Sequence, residues 1–118
     1  MLEAGSIALL PVPFSDQSAT KKRPVLLLTD PDTYGDFIAM PITSQAGQPN
    51  TVLIRPTDMQ TGRLPKTSWV RYDKPLSLHR SIVVKEFGKT GIPLRTQATQ
   101  ALCGLITPVQ PLEPGGCP

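Results

Sequence analysis

Short apolar runs bounded by turn-forming residues recur along the chain. Six of them are rich in β-branched or aliphatic side chains and end at Pro, Gly, Asp or Asn, which predicts short strands. The predicted strands are Ser6–Val12, Arg23–Thr29, Asp36–Ile42, Thr51–Arg55, Ser68–Tyr72 and Ser81–Lys85. Between them, Pro13–Lys22 and Thr57–Thr67 are predicted as long turn-rich loops. The spacing favours a small, strongly bent antiparallel barrel or sandwich.

One later segment has helical spacing instead. From about Leu94 to Ile106, apolar side chains recur every three or four positions, which predicts an amphipathic helix with Thr96 as its candidate N-cap. The fold class is therefore mainly β, with a C-terminal α-helix. Residues 1–107 are predicted to form a single domain, and residues 108–118 a flexible tail rich in Pro and Gly.

Composition narrows the class of protein further. Fourteen prolines and nine glycines in 118 residues argue against a helical bundle. No apolar run reaches the ~18 residues of a membrane span, and no secretory leader is visible, so we expect a cytoplasmic protein without a membrane partner. Cys103 and Cys117 match no metal-ligand spacing, and Cys103 is expected to be a small buried hydrophobe in a reducing compartment.

The charge balance is mildly basic, with a net charge of +3, which permits a polyanionic partner. Cations recur along the chain rather than in one block, at Lys21, Lys22, Arg23, Arg55, Arg63, Lys66, Arg71, Lys74 and Arg80. A fold that gathers these segments would form a basic groove, whereas a solvated mixed surface is the more common environment for any one of these residues.

Two strand ends carry candidate phosphate ligands. Arg23 begins an apolar strand beside Pro24, so its forked guanidinium would be held firmly enough to contact two phosphate oxygens. Thr43 and Ser44 follow a buried-looking run and could donate to a phosphate. The alternatives stay open: Arg23 as a surface cation, and the two hydroxyls as turn formers that bond their own backbone.

Arg71 and Asp73 form the sharpest pair. In an extended strand, residues two apart point to one face, so this cation and carboxylate could divide acid and base work along one proton-transfer path. Lys74 continues the charged run, and Trp69 could stack on a nucleobase. The alternatives are a surface ion pair and a core tryptophan. No metal-ligand cluster is apparent in the sequence, and the single histidine, His79, has no catalytic set around it.

Four motifs, in order, resemble the MazF/PemK/Kid family of bacterial toxins. The motifs are Gly5–Leu10 followed by a Pro-containing turn, Arg23–Leu26, Pro41–Ser44 and Val70–Pro75, with Ser77-Leu78 after them. The resemblance covers about Gly5 to Ile106. It implies an SH3-like (PemK/CcdB-type) barrel with a C-terminal helix, usually as a homodimer.

The resemblance also implies an activity. Family members cut single-stranded mRNA without a cofactor or metal, by attack of the 2′-hydroxyl on the adjacent phosphorus. Arg23 and Thr43 match the essential pair of the MazF branch, and Arg71 and Asp73 match the acid and base of the Kid branch. Gln17 stands where Kid-like members carry a histidine, which puts a third catalytic role there in doubt.

The expected function is thus a sequence-selective endoribonuclease toxin that an antitoxin neutralises. The residues expected to bind RNA beside the catalytic four are Gln17, Lys22, Ser44, Gln45, Ser68, Trp69 and Lys74. Two other classes stay open: a CcdB-like poison of a protein target such as DNA gyrase, and a barrel that binds RNA without cutting it.

Overall fold

The structure is a computed structural model that describes residues 1–13 and 20–107. It contains one antiparallel sheet of eight strands followed by a helix. The strands are β1 (Ser6–Pro13), β2 (Thr20–Leu27), β3 (Asp36–Thr43), β4 (Thr51–Ile54), β5 (Met59–Gly62), β6 (Ser68–Arg71), β7 (Leu76–His79) and β8 (Lys85–Thr90). The helix, α1, spans Ile92–Ile106. The predicted fold class, mainly β with a C-terminal helix, is confirmed.

The three longest strands, β1, β2 and β3, lie next to one another in the middle of the sheet. The order of hydrogen-bonded neighbours is β4-β6-β3-β2-β1-β8-β5, with β7 paired to β3 off that path. Along one edge, β3 pairs with β7 through Asp36–Ala39 and then with β6 through Ile42 and Thr43. The end of β3 is therefore the point where the two halves of the sheet meet.

Alternation along the strands gives the sheet two apolar faces. The first core lies on one face and contains Ile7, Leu26, Met40, Ile42, Val52, Ile54 and Val70, packed with Leu94 and Ala98 of α1. The second core lies on the other face and contains Ala8, Leu10, Val12, Val25, Leu27, Phe37 and Ala39. Leu76 and Leu78 of β7 pack against this second core. Both faces are thus covered, which fixes the register of every central strand.

Three elements differ from the sequence predictions. β5 lies within Thr57–Thr67, which the sequence predicts as a loop, and its residues are half-buried or exposed, so no apolar alternation marks it. β7 is likewise absent from the predicted strands. The predicted strand Ser81–Lys85 is wrong in its bounds, because residues 80–82 form a 3₁₀ turn and β8 begins only at Lys85.

The ends of two further elements also differ. β2 begins at Thr20, three residues before the predicted start. The helix begins at Ile92 with Gly91 as its N-cap, so Thr96 is not the cap; Pro93 lies in the first turn, where a missing N–H costs nothing. Cys103 is buried on α1 as expected, but it is disulfide-bonded rather than a free thiol. The predicted tail, 108–118, lies outside the described residues.

Candidate active site

A cavity of about 350 Å³ opens where the ends of β2, β3 and β6 meet. Its lining includes Arg23, Thr43, Ser44 and Gln45, together with the loop residue Lys66. These residues are widely separated in sequence, so the cavity exists only because the sheet brings three strand ends together. We call it the strand-end cavity.

The strand register explains why Arg23 and Thr43 meet. β2 pairs with β3 through Val25↔Pro41, Leu26↔Met40 and Leu27↔Ala39. The ladder ends at Val25↔Pro41, and continued by two residues its register would place Arg23 opposite Thr43. Directly opposite side chains in an antiparallel pair lie about 5 Å apart at Cβ. One strand pairing therefore puts a guanidinium and a hydroxyl against the same cavity.

The same row of side chains continues across the sheet. Thr43 pairs with Trp69 of β6, and Trp69 pairs with Leu53 of β4. Paired residues share a face, so Arg23, Thr43, Trp69 and Leu53 form one line across four strands, which we call the site row. At about 4.8 Å between neighbouring strands, the row spans about 14 Å.

The Thr43 hydroxyl already has one defined partner. Its Oγ1 accepts a hydrogen bond of 3.1 Å from the backbone N–H of Gln45, and the residue is only 8% exposed. The turn-forming alternative left open by the sequence is therefore observed. It leaves the hydroxyl proton available, because a threonine hydroxyl can accept and donate at once. The turn bond orients the oxygen so that its O–H can serve a ligand in the cavity.

The cavity is strongly cationic. Lys21, Lys22, Arg23 and Lys66 line it, and no Asp or Glu is among the described residues that do so. Arg23 is half-buried, whereas the three lysines are exposed. A concave surface with one sign of charge concentrates its field and attracts anions. A phosphate group is the anion whose size and charge suit this arrangement.

Arg71 and Asp73 do not line the strand-end cavity. Arg71 ends β6 and pairs with Thr51, two residues from Trp69 on the same face, which puts it about 7–8 Å diagonally from Thr43. Asp73 lies in the turn after the strand, where its Oδ2 accepts a bond of 3.4 Å from the side-chain amide of Asn50. No salt bridge joins Arg71 to Asp73 in the described part of the chain.

Two atoms of this pair are buried without a partner: Arg71 Nε and Asp73 Oδ1. A buried polar atom left without a hydrogen bond is uncommon and costs about 1–3 kcal/mol. Arg95 Nε is the other such atom among the described residues.

The remaining predicted RNA-binding residues divide into three groups. Lys22, Ser44, Gln45 and Ser68 line the strand-end cavity. Trp69 is half-buried in the site row, and Lys74 is exposed beyond the turn; neither lines the cavity. Gln17 lies outside the described residues. The Ser68 hydroxyl donates to the carbonyl oxygen of Lys66 at 2.9 Å, so this side chain holds the loop that carries Lys66.

Several cavity residues are not among the predicted site residues. Lys66, with Leu64 and Pro65, comes from the loop before β6, and Phe87 comes from β8. In the sequence, the loop residues could have been found only from Leu64, an apolar residue between the cations Arg63 and Lys66 in a turn-rich stretch. The position of Phe87 depends on the pairing of β8 with β1, which sequence alone does not reveal.

His79 has a structural role. Its Nδ1 accepts from the backbone N–H of Ser81 at 3.0 Å, so the other ring nitrogen donates to the carbonyl oxygen of Tyr34 at 2.7 Å. Within the described residues, no group of three or more His, Cys, Asp or Glu is arranged to hold a metal ion. The described helix is too short for a membrane span, and no other candidate is found in that part of the chain.

Comparison with known proteins gives a family match over most of the chain. A family model described as "PemK-like, MazF-like toxin of type II toxin-antitoxin system" matches residues 3–106. The search of curated proteins found no match.

Solved structures share the fold at low sequence identity. MazE-MazF from Deinococcus radiodurans has a TM-score of 0.69 at 22% identity, covering 89% of this chain and 95% of that one. An endoribonuclease in complex with its cognate antitoxin from a mycobacterial species has a TM-score of 0.66 at 17% identity, covering 93% and 97%. The Mycobacterium tuberculosis toxin MazF-mt6 has a TM-score of 0.58 at 18% identity, covering 82% and 93%. At these identities the likeness shows the fold.

Proposed function

Because the chain belongs to the PemK-like, MazF-like toxins of type II toxin–antitoxin systems, we propose that it is an endoribonuclease that cuts single-stranded mRNA at selected sequences without a metal. The observation that carries the proposal is the cationic strand-end cavity, where Arg23 and Thr43 lie together. A mycobacterial structure with the same fold is described as an endoribonuclease, which supports the assignment.

The reaction we propose is an internal transfer of the phosphate. The ribose 2′-oxygen attacks the adjacent phosphorus, the O2′–P bond forms, and the P–O5′ bond breaks. The products are a 2′,3′-cyclic phosphate and a 5′-hydroxyl. The protein needs to remove one proton, supply another and stabilise the negative charge that develops on the phosphorane.

Arg23 and Thr43 are proposed to hold the scissile phosphate. The Arg23 guanidinium would bind two phosphate oxygens, and the Thr43 hydroxyl, oriented by the N–H of Gln45, would donate to one of them. Ser44 is exposed beside them and would add a second hydroxyl. Stabilisation by donors that are already in place is the largest contribution expected.

Arg71 and Asp73 are proposed to move the protons. Asp73 would accept the 2′-hydroxyl proton, and Arg71 would donate to the leaving 5′-oxygen; both residues are half-buried. Neither residue lines the cavity, so the ribose would have to extend from Thr43 towards Arg71, two residues beyond Trp69 on β6. Catalytic hydrogen bonds often tighten only when substrate binds.

Two partners follow from the same proposal. We propose that an acidic antitoxin segment neutralises the toxin by covering the cationic cavity, as the antitoxin complexes among the structural neighbours suggest. We also propose that the toxin is a homodimer, because two copies would offer a longer surface to an extended RNA. Light scattering at micromolar concentration tests the dimer, and a monomer would refute it.

The test of the activity is direct. Purified protein is incubated with a mixed RNA in EDTA, and new 5′-hydroxyl ends are mapped by sequencing. We expect cuts at a limited set of sequences, and none in a substrate with deoxyribose at the scissile nucleotide. Loss of cutting in EDTA, or cutting of the deoxyribose substrate, would contradict the mechanism. Binding of RNA without any cut would favour an RNA-binding barrel instead.

A further inference from the structure

Asn50 is the only asparagine in the chain, and its backbone is left-handed. Its φ is 56°, and no other described residue except glycine has a positive φ. Left-handed backbone is unfavourable for most side chains, and asparagine is among the few that adopt it often. Asn50 ends the loop between β3 and β4. Because glycine would meet the demands of this backbone alone, the asparagine side chain needs an explanation of its own.

Strand pairing brings Asn50 beside the turn that follows β6. β4 pairs with β6 through Thr51↔Arg71. One position further along, the backbone N–H of Tyr72 donates to the carbonyl oxygen of Asn50 at 3.2 Å. Asp73, the proposed base, is the next residue after Tyr72. The left-handed asparagine is thus placed against the turn that carries the proposed base.

The Asn50 side chain contacts both residues of this turn. Its Oδ1 accepts from the hydroxyl of Tyr72 at 3.2 Å, and its Nδ2 donates to Oδ2 of Asp73 at 3.4 Å. The chemistry of the partners fixes this orientation of the amide, because an ionised carboxylate can only accept and therefore requires the NH2 group. Tyr72 is half-buried and packs against the first core. A series of contacts thus runs from the core through Tyr72 and Asn50 to the Asp73 carboxylate.

A general base must be aimed at the proton that it removes. Asp73 lies in a turn, and no salt bridge of the described residues includes it. We propose that Asn50 is a positioning residue that orients the Asp73 carboxylate towards the 2′-hydroxyl, and that Tyr72 orients Asn50 in turn. At 3.4 Å the bond from the amide is long, and we expect it to shorten when RNA binds. The inference rests on the proposed function and adds to it the residues that hold the base.

Asn50→Gly tests the amide while keeping the backbone, because glycine adopts a positive φ at no steric cost. We expect kcat for RNA cleavage to fall about ten-fold through misplacement of the base. KM should change little, because Asn50 does not line the strand-end cavity proposed to bind the phosphate. Ala46→Gly is the matched control: Ala46 is exposed in the same loop and outside that cavity, so the variant should cut at the wild-type rate. An unchanged kcat for Asn50→Gly, or an equal loss for Ala46→Gly, would overturn the proposal.

The decisive comparison repeats the change in a protein that lacks the base. In an Asp73→Asn background, Asn50→Gly should have no further effect on kcat, because the amide acts only through the carboxylate. Single-turnover assays with excess enzyme measure these slow rates. A loss of about ten-fold in both backgrounds would show that Asn50 acts on the fold and not on the base, since independent effects multiply. That result would also overturn the proposal.

Two further variants separate the donor from the shape of the side chain. Asn50→Asp keeps the size and can still accept from the Tyr72 hydroxyl, but it cannot donate and places two carboxylates together. Its kcat should therefore fall further than that of Asn50→Gly, by about 100-fold. Tyr72→Phe keeps the ring and removes the hydroxyl, so kcat should fall by about three-fold, and not at all when Asn50→Gly is already present. Asn50→Asp that cuts normally, or that raises KM with kcat unchanged, would remove the positioning role.

The contact itself is tested without RNA. Since Asn50 is the only asparagine, protein labelled with ¹⁵N-asparagine gives one side-chain NH2 pair in its NMR spectrum. We expect this pair to shift in Asp73→Ala and in Tyr72→Phe, and to stay in place in Ala46→Gly. If the wild type never cuts RNA, the nuclease assignment fails whatever the NH2 pair does. If cutting is normal but the pair does not respond to Asp73→Ala, the nuclease assignment stands and the positioning role is overturned.

Discussion

The strand-end cavity and the Arg71–Asp73 pair are built in opposite ways. Arg23 and Thr43 come from different strands and meet because β2 and β3 pair in one register. Arg71 and Asp73 are two residues apart in sequence, yet no salt bridge joins them in the described chain. Proximity in sequence therefore did not produce an ion pair, whereas sheet pairing did produce a shared cavity.

The two regions also differ in how their polar groups are satisfied. The Thr43 oxygen has its turn partner, and Ser68 holds the loop of Lys66, so the cavity is organised before any ligand arrives. The Arg71–Asp73 region keeps two buried polar atoms without partners. In the proposed mechanism, the first region holds the phosphate, and the second moves the protons.

The largest effect is expected at Arg23. Arg23→Ala should lower kcat/KM for RNA cleavage by about 1,000-fold, because a charged, forked donor to the developing phosphorane is lost. Arg23→Lys keeps the charge but not the fork and should recover part of the loss. Arg80→Ala is the matched control and should cut at the wild-type rate. An Arg23→Ala variant that is folded by circular dichroism and cuts normally would remove the cavity from the mechanism.

Loss of the proton-moving pair should cost somewhat less. Arg71→Ala and Asp73→Asn should each lower kcat by about 100- to 1,000-fold, the range of general acid–base contributions. The double variant Arg71→Ala/Asp73→Asn should be little worse than either single one, since residues that act as a unit are not additive. Full multiplication of the two effects in single-turnover assays would show that they act independently.

At Thr43 the chemistry can be separated from the turn. Thr43→Ser keeps both the acceptor and the O–H, so it should cut within a few-fold of the wild type. Thr43→Val keeps the shape but removes the hydroxyl and should lower kcat/KM by about 100-fold. It should also lower the free energy of unfolding by about 1 kcal/mol, because the N–H of Gln45 loses its partner. Equal cleavage by the Ser and Val variants would show that the Thr43 hydroxyl only stabilises the turn and does not contact the RNA.

The smallest effect is expected at Ser68. Ser68→Ala removes the bond to the carbonyl oxygen of Lys66 and should lower the free energy of unfolding by about 1 kcal/mol. Cleavage should fall only several-fold, through a looser Lys66 loop. Urea denaturation and steady-state kinetics measure the two effects. A loss as large as that of Thr43→Val would mean that Ser68 contacts the RNA itself.

Four strands are predicted from the sequence to within one residue, whereas the four-residue strands β5 and β7 are missed. The predicted bounds of β1, β3, β4 and β6 lie within one residue of both observed ends, because each carries apolar side chains bounded by turn residues. β5 has the sequence Met-Gln-Thr-Gly and exposes most of it, so its pairing with β8 decides its structure rather than its own pattern.

Some residues of the site can also be found from the sequence, and others cannot. The motifs on β2 and at the end of β3 point to Arg23 and Thr43, because polar residues bordering apolar runs are visible in sequence. Lys66 and Phe87 reach the cavity through a loop and through a strand pairing between distant parts of the chain. Such contacts depend on which strands become neighbours, and the apolar pattern of a single chain does not contain that information.

During synthesis on the ribosome, β1 can pair with β8 only after β8 has been made. β1 pairs with β2 on one side and with β8 on the other, so the sheet cannot close before residue 90 has left the ribosome. The site row needs residues as far apart as Arg23 and Trp69, and contacts of such long range form late in folding. Under the proposed function, a nascent chain of this toxin would therefore leave the message that encodes it uncut until synthesis of the sheet is complete.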